Sequence, residues 1–155
     1  MSRFLYILFA LLALLSATRV EAQTIAIGES APRIMHAKWL NDNSPRRSRY
    51  TYVQFILSKS IPCRDTATRI HNSISKSSGI AFVLVTPESA SEVEKWAHNL
   101  IGPMAGVVVE DRSIRTSFGV NYVPYAVILG RKHRVLWFGN PQQLDLEKIK
   151  KLTKK

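Results

Sequence analysis

Residues 51–152 predict an α/β fold in which a mixed central sheet carries helices on both faces. Three observations lead there: three early apolar runs separated by segments of helical period, a late pair of β-rich runs around a short turn, and a closing amphipathic segment. A helix joining two neighbouring strands returns the chain to the same end of the sheet, so the early strands are parallel. A hairpin makes its two strands antiparallel.

Each element has its own signal. The stretch TYVQFIL at 51–57 is rich in β-branched and aromatic residues, as a buried strand should be, and it ends at Ser58-Lys59-Ser60. After Pro62, residues 64–75 place Ala67, Ile70 and Ile74 on one face and Arg64, Asp65 and Arg69 elsewhere, which predicts an amphipathic helix stopped by Ser77-Ser78-Gly79. IAFVLVT at 80–86 is almost continuously apolar, the pattern of a strand covered on both faces. A second helix follows, with Ser89 or Ser91 as its cap and Glu92 and Glu94 in its first turns. Val93, Trp96, Ala97 and Leu100 fall at i, i+3, i+4 and i+7, and Gly102-Pro103 ends it.

GVVVE at 106–110 reads as a third strand. Residues 111–118 read as a short helix with Ile114 and Phe118 inward and Gly119 as its C-terminal cap. Runs at 125–129 and 135–138 bracket Gly130-Arg131-Lys132-His133 and predict a hairpin. Residues 145–152 close the chain as a helix with Leu146, Ile149 and Leu152 on one side. Ahead of all this, residues 23–50 form a loose lead-in broken by Gly28, Pro32 and Pro45, with one short strand expected around 34–40.

Residues 1–22 read as an export signal: Arg3 begins it, FLYILFALLALL at 4–15 is its apolar run, and Val20-Glu21-Ala22 fits the small-residue cleavage pattern, with Gln23 as the mature N-terminus. Cleavage there places the protein in the periplasm or outside the cell, with an uncleaved N-terminal anchor as the alternative. The remaining 133 residues suit one domain. Arg3, Arg19 and Glu21 leave with the signal, so the mature chain carries 20 basic against 10 acidic side chains. The positive charge is gathered at Arg46-Arg47-Arg49, at 131–134 and at 148–155. It is not a dense basic helix interleaved with aromatics, which argues against nucleic acid; a solvated basic surface and tail is the first reading, with an acidic partner or an anionic membrane surface as the partner it would suit. Export meets an oxidising compartment, yet Cys63 is the single cysteine, so no internal disulfide can form.

The element order, with Ser-x-Pro-Cys at the first strand-to-helix turn and Val-Pro before the hairpin, resembles the thioredoxin fold, and within it the exported TlpA/ResA-like thiol-disulfide oxidoreductases. The marks are IGESAP and KWLND in the lead-in, VQFILSKSIPC at the turn, VVVEDRSIRTSFGVNYVPYAVIL, and WFGNPQQL near the end. The resemblance implies a thioredoxin-like α/β/α sandwich. It places Cys63 on the second, usually buried cysteine of the family motif and Ser60 on the first, the nucleophile. In the family that first thiol is lowered in pKa by the helix N-terminus, and it attacks the substrate disulfide before the second resolves the mixed species. A serine hydroxyl cannot do this. Lys59 stands where the family has Trp, and Gln54 where thioredoxin keeps a buried acid. Pro124 matches the family's cis-proline, which implies a groove for an extended peptide between Val123 and the Ser60–Cys63 turn, with Pro62 and Tyr125 beside it.

Two other readings of the same residues stand beside this one. Peroxiredoxins share the fold and keep a hydroxyl three residues before a lone reactive cysteine, as Ser60 and Cys63 are spaced; here Ile56 replaces that motif's proline and Val123 stands near its arginine position. Alternatively, Ser60 caps the helix, Pro62 sits in its first turn, and Cys63 packs as a small hydrophobe. The four histidines show no ligand spacing with Cys63, no cofactor motif is present, and Trp39, Trp96 and Trp137 read as packing aromatics. The leading expectation is an exported, redox-impaired peptide-binding protein; the alternative is a one-cysteine thiol reductase or peroxidase using Cys63.

Overall fold

Six strands form one sheet in the order β1-β4-β3-β2-β5-β6 in the computed structural model, which describes residues 25–75 and 79–154. The expected signal, its cleavage point and the Ser77-Ser78 stop lie outside the described residues. In chain order the elements are β1 (Lys38–Trp39), β2 (Tyr50–Phe55), α1 (Ile61–Ile74), β3 (Ile80–Val85), α2 (Ala90–Ala97), β4 (Ala105–Val109), α3 (Ser113–Ser117), β5 (Tyr125–Leu129), β6 (Val135–Gly139) and α4 (Leu146–Thr153). The strands β2, β3 and β4 are mutually parallel, while β5, β6 and β1 pair antiparallel with their neighbours.

The central strands read as continuous apolar runs because alternate residues enter two different cores. Tyr52, Phe82, Leu84, Val107 and Ile128 point to one face, where Ala67 and Ile70 of α1, Val93 and Ala97 of α2 and Ile149 of α4 cover them. Val53, Phe55, Val83, Val108 and Val127 point to the other, which is covered by Ile114 of α3, Phe118 and Val120, and by the lead-in through Ile25 and Ala31. The lead-in is thus a strap. It lies beside β6, where Gly28 and Ala31 donate to the carbonyls of Val135 and His133 at 2.8 Å. It then crosses the second face with Ile34, Ala37 and Trp39 packed on it, and ends beside β4. Gly106 lets it pass: a Cβ there would sit 2.7 Å from the Asn43 carbonyl.

The strand expected around 34–40 shrinks to Lys38–Trp39, because His36 takes a left-handed conformation and Leu40–Asp42 already turns as a 3-10 helix. Other boundaries move for reasons of capping. Helix α1 begins at Ile61, earlier than expected, since Ser60 is its cap and Pro62 fits its first turn. Helix α3 starts later, because the Asp111 carboxylate stays outside it and accepts from the backbone N–H groups of Ile114 at 3.1 Å and Arg115 at 3.2 Å. Gly119 follows α3 at φ 66, a conformation suited to glycine. Asp145 caps α4 from outside, accepting from the Lys148 N–H at 2.7 Å. The hairpin turn holds a 3-10 turn, Arg131–His133, with Lys132 and His133 left-handed.

His71, on the last turn of α1, packs edge-on against Phe82 at 5.1 Å, and burial lowers its pKa from the ordinary 6.5. A group that titrates lower when folded lets the unfolded chain take up the proton first, so stability falls as pH drops below about 6.5. Urea midpoints measured on either side of that pH are expected to show this loss, and His71→Gln is expected to flatten it.

Candidate functional site at the Ser60 turn

The site grows out of the carboxyl end of β2. Ile56 still donates to Val85 at 3.0 Å, after which the chain turns, with Ser60 N–H donating to Leu57 O at 3.1 Å. Glu88, just past β3, clamps this turn. Its carboxylate accepts from the Ser58 backbone N–H at 2.6 Å and hydroxyl at 2.7 Å, and from the Thr86 hydroxyl at 2.8 Å. The Ser60 hydroxyl oxygen caps α1, accepting from the Cys63 N–H at a long 3.4 Å.

Cys63 is 0% exposed, in the first core with Ala67 and Ile70, and its thiol is free. Beneath it lies a neutral hydrogen-bonded cluster. Gln54, also 0% exposed, accepts from the Tyr52 hydroxyl at 2.7 Å and donates from Nε2 to the Thr66 hydroxyl at 2.8 Å and the Cys63 carbonyl at 3.2 Å. A carbonyl only accepts, so the amide nitrogen must face Cys63. Thr66 passes the chain on, donating to Pro62 O at 2.7 Å. Burial raises the Tyr52 pKa well above its ordinary value, against the opposing pull of Arg69.

The second wall comes from β5. Phe55 pairs with Tyr125, so residues 56–60 and the Val123–Pro124 segment leave the same end of the sheet, and the Val123–Pro124 peptide is cis. Pro124 is buried and Val123 half-buried between both cores. The Tyr125 ring belongs to the second face, near Phe55 and Phe138, whereas Cys63 belongs to the first; burial raises the Tyr125 pKa, with Tyr122 adding to it. Ser60, Pro62, Cys63, Val123 and Pro124 are therefore gathered at one end, with the Tyr125 side chain turned to the far side of the sheet.

Three residues that sequence reasoning missed stand out here. Ile61 is 62% exposed and Leu57 36%, on either side of Ser60, whereas Tyr122, 51% exposed ahead of the cis peptide, turns its ring edge-on to Tyr125 at 5.3 Å, toward the second face. Their only sequence signal is apolar character at positions where the helix and strand periods do not demand burial. Among the described residues, no group of three or more His, Cys, Asp or Glu could hold a metal ion. Chemically, the arrangement offers an apolar, half-open edge and no exposed thiol.

No family model matches the sequence, and no match is found among curated proteins. Solved structures do match. The thioredoxin domain of a thiol-disulfide oxidoreductase from Bacteroides vulgatus aligns at TM-score 0.67 and 15% identity, covering 84% of this chain and 99% of that one. A thioredoxin-like protein from Parabacteroides distasonis aligns at TM-score 0.64 and 13% identity, over 85% and 97%. A secreted disulfide oxidoreductase of Mycobacterium tuberculosis aligns at TM-score 0.55 and 11% identity, over 67% and 79%. With its own six-stranded mixed sheet beside these likenesses, the chain has a thioredoxin-like α/β fold.

Proposed function

We propose that this is an exported, redox-impaired relative of the thiol-disulfide oxidoreductases that binds an extended peptide or protein segment between the Ser60 turn and the cis Val123–Pro124 edge. The observation that carries the reading is the contrast at one turn: Cys63 is fully buried and Ser60 is used as a helix cap, while Leu57 and Ile61 remain open to solvent. Disulfide exchange needs an accessible thiolate, and a lone buried thiol does not offer one. The same burial weighs against peroxide chemistry at Cys63. An exposed apolar rim beside free backbone is what an extended segment needs for side-chain pockets and main-chain pairing. The segment at 1–22 supports export, as does the secreted neighbour.

The test is a pair of assays on one protein. Insulin reduction and peroxide consumption are expected to stay at background. Fluorescent peptides from an extended-peptide library are expected to bind, and Ile61→Asp or Leu57→Asp to weaken them by about tenfold or more, since charge on an apolar contact leaves it desolvated and unpaired. Cys63→Ala should bind as the parent does. Turnover that disappears in Cys63→Ala would overturn the reading.

A further inference from the structure

The end of the sheet opposite the Ser60 turn gathers positive charge from three separate parts of the chain. Arg46, Arg47 and Arg49 lead directly into Tyr50, the first residue of β2. Thr51 pairs with Leu129, the last residue of β5, so the exposed turn bearing Arg131, Lys132 and Arg134 leaves from the same end. Helix α4 brings the third group. Its Lys150, and Lys154 just past its end, line a groove of about 260 Å³ with Arg49, and Lys151 is exposed beside them. Tyr50, Ile80, Leu146 and Ile149 line the groove too, beside Thr153, and of these four only Leu146 is more than marginally exposed. Segments 44–50, 129–135 and 148–154 contain no Asp or Glu. Glu147, one turn earlier, reaches Lys150 at 3.2 Å, an exposed pair that water screens.

We propose that this pole docks on an anionic phospholipid bilayer, with the groove receiving one lipid headgroup. The charge arrangement and the groove point to the same partner. Cations spread over three elements at one end match a charged plane, whereas nucleic acid is usually met by a basic groove or stripe with interleaved aromatics. Arg49, Lys150 and Lys154 converge on one groove, where they meet a lipid phosphate while the lipid glycerol lies against the half-exposed Leu146. The Ser60 turn, at the opposite pole, then faces away from the membrane.

The test reads position rather than total binding, so the apolar run at 4–15 cannot imitate it. The full chain is acetylated with and without vesicles containing phosphatidylglycerol, and each lysine is followed by mass spectrometry. Lys132, Lys150, Lys151 and Lys154 are expected to be shielded while Lys59 and Lys38, at the Ser60 end of the sheet, are not, and phosphatidylcholine vesicles are expected to shield none of them. Arg49→Gln with Lys150→Gln is expected to lower vesicle affinity at this pole by about fivefold per charge, and Lys59→Gln with Lys38→Gln to leave it unchanged. Equal shielding at both poles, or equal loss from both charge pairs, would mean that net charge alone acts, and would overturn the proposal. So would inorganic phosphate shielding Lys150 and Lys154 as strongly as vesicles do, or DNA or an acidic polypeptide shielding the pole more strongly than vesicles at the same salt.

Discussion

Gln54→Glu is expected to produce a chain about as stable as the parent in mild acid and weaker by about 3 kcal/mol at neutral pH, a large share of a typical folding free energy. The cause is the surroundings of the amide. Gln54 has no exposed surface, and one side of its head meets the Cys63 carbonyl at 3.2 Å. A protonated carboxyl can donate to that carbonyl and still accept from Tyr52; a carboxylate can only repel it. Burial and repulsion both raise the folded pKa, and a carboxyl raised in the folded state gives stability that is full below the unfolded pKa of about 4.3 and is lost as pH rises. The slope should approach about 1.4 kcal/mol per pH unit in that window. The Tyr52 and Thr66 hydroxyls, at 2.7 and 2.8 Å, can both turn toward a carboxylate and limit the loss. Urea unfolding from pH 4 to pH 8 measures it; a flat profile would show that water reaches the cluster.

Cys63 is expected to react with DTNB about a thousandfold more slowly, or slower still, in the folded chain than in urea, because its thiol is reached only through an opening that costs about 4 kcal/mol or more. Ser60→Cys should change this sharply. Residue 60 is half-exposed at the start of a 14-residue helix, whose N-terminus stabilises a thiolate. A new fast-labelling thiol should therefore appear. Mild oxidation should then remove both thiols together, since the Ser60 side chain already reaches the Cys63 backbone. If Ser60→Cys labels fast but never closes on Cys63, the two residues are not placed as a thioredoxin pair. Fast labelling of the parent itself would end the claim that Cys63 is inert.

The strands from β2 to β6 and the three longer helices are legible in the sequence because each is written locally, as an apolar run or a face of helical period. The residues gathered at that end of the sheet can be picked out in the sequence for the same reason: Ser60, Pro62 and Cys63 lie within four residues, and Val123 and Pro124 are adjacent. What escaped depends on residues far apart in the chain. Gln54 meets Thr66 only when β2 and α1 pack, although Tyr52 and Gln54 at i and i+2 do share a strand face. The clamp between Ser58 and Glu88 joins two loops, and neither residue predicts the other. In the lead-in, Ile34, Ala37 and Trp39 resemble a short strand, but they pack as a strap and pair with β4 over two residues only. Its course is set by a surface that other segments create.

That strap also constrains the order in which the protein can be completed. Residues 28–31 are made early, yet their partners His133–Val135 lie more than a hundred residues later, with the Arg134 side chain reaching the Gly28 carbonyl across a separation of 106. Loop closure of that span comes late, and until then Val53, Val83 and Val108 lack their full cover. A chain emerging one residue at a time from a ribosome or a translocation channel therefore holds an open, sticky sheet face until almost its last strand is out. The nascent protein, rather than the finished one, is the form most in need of a chaperone.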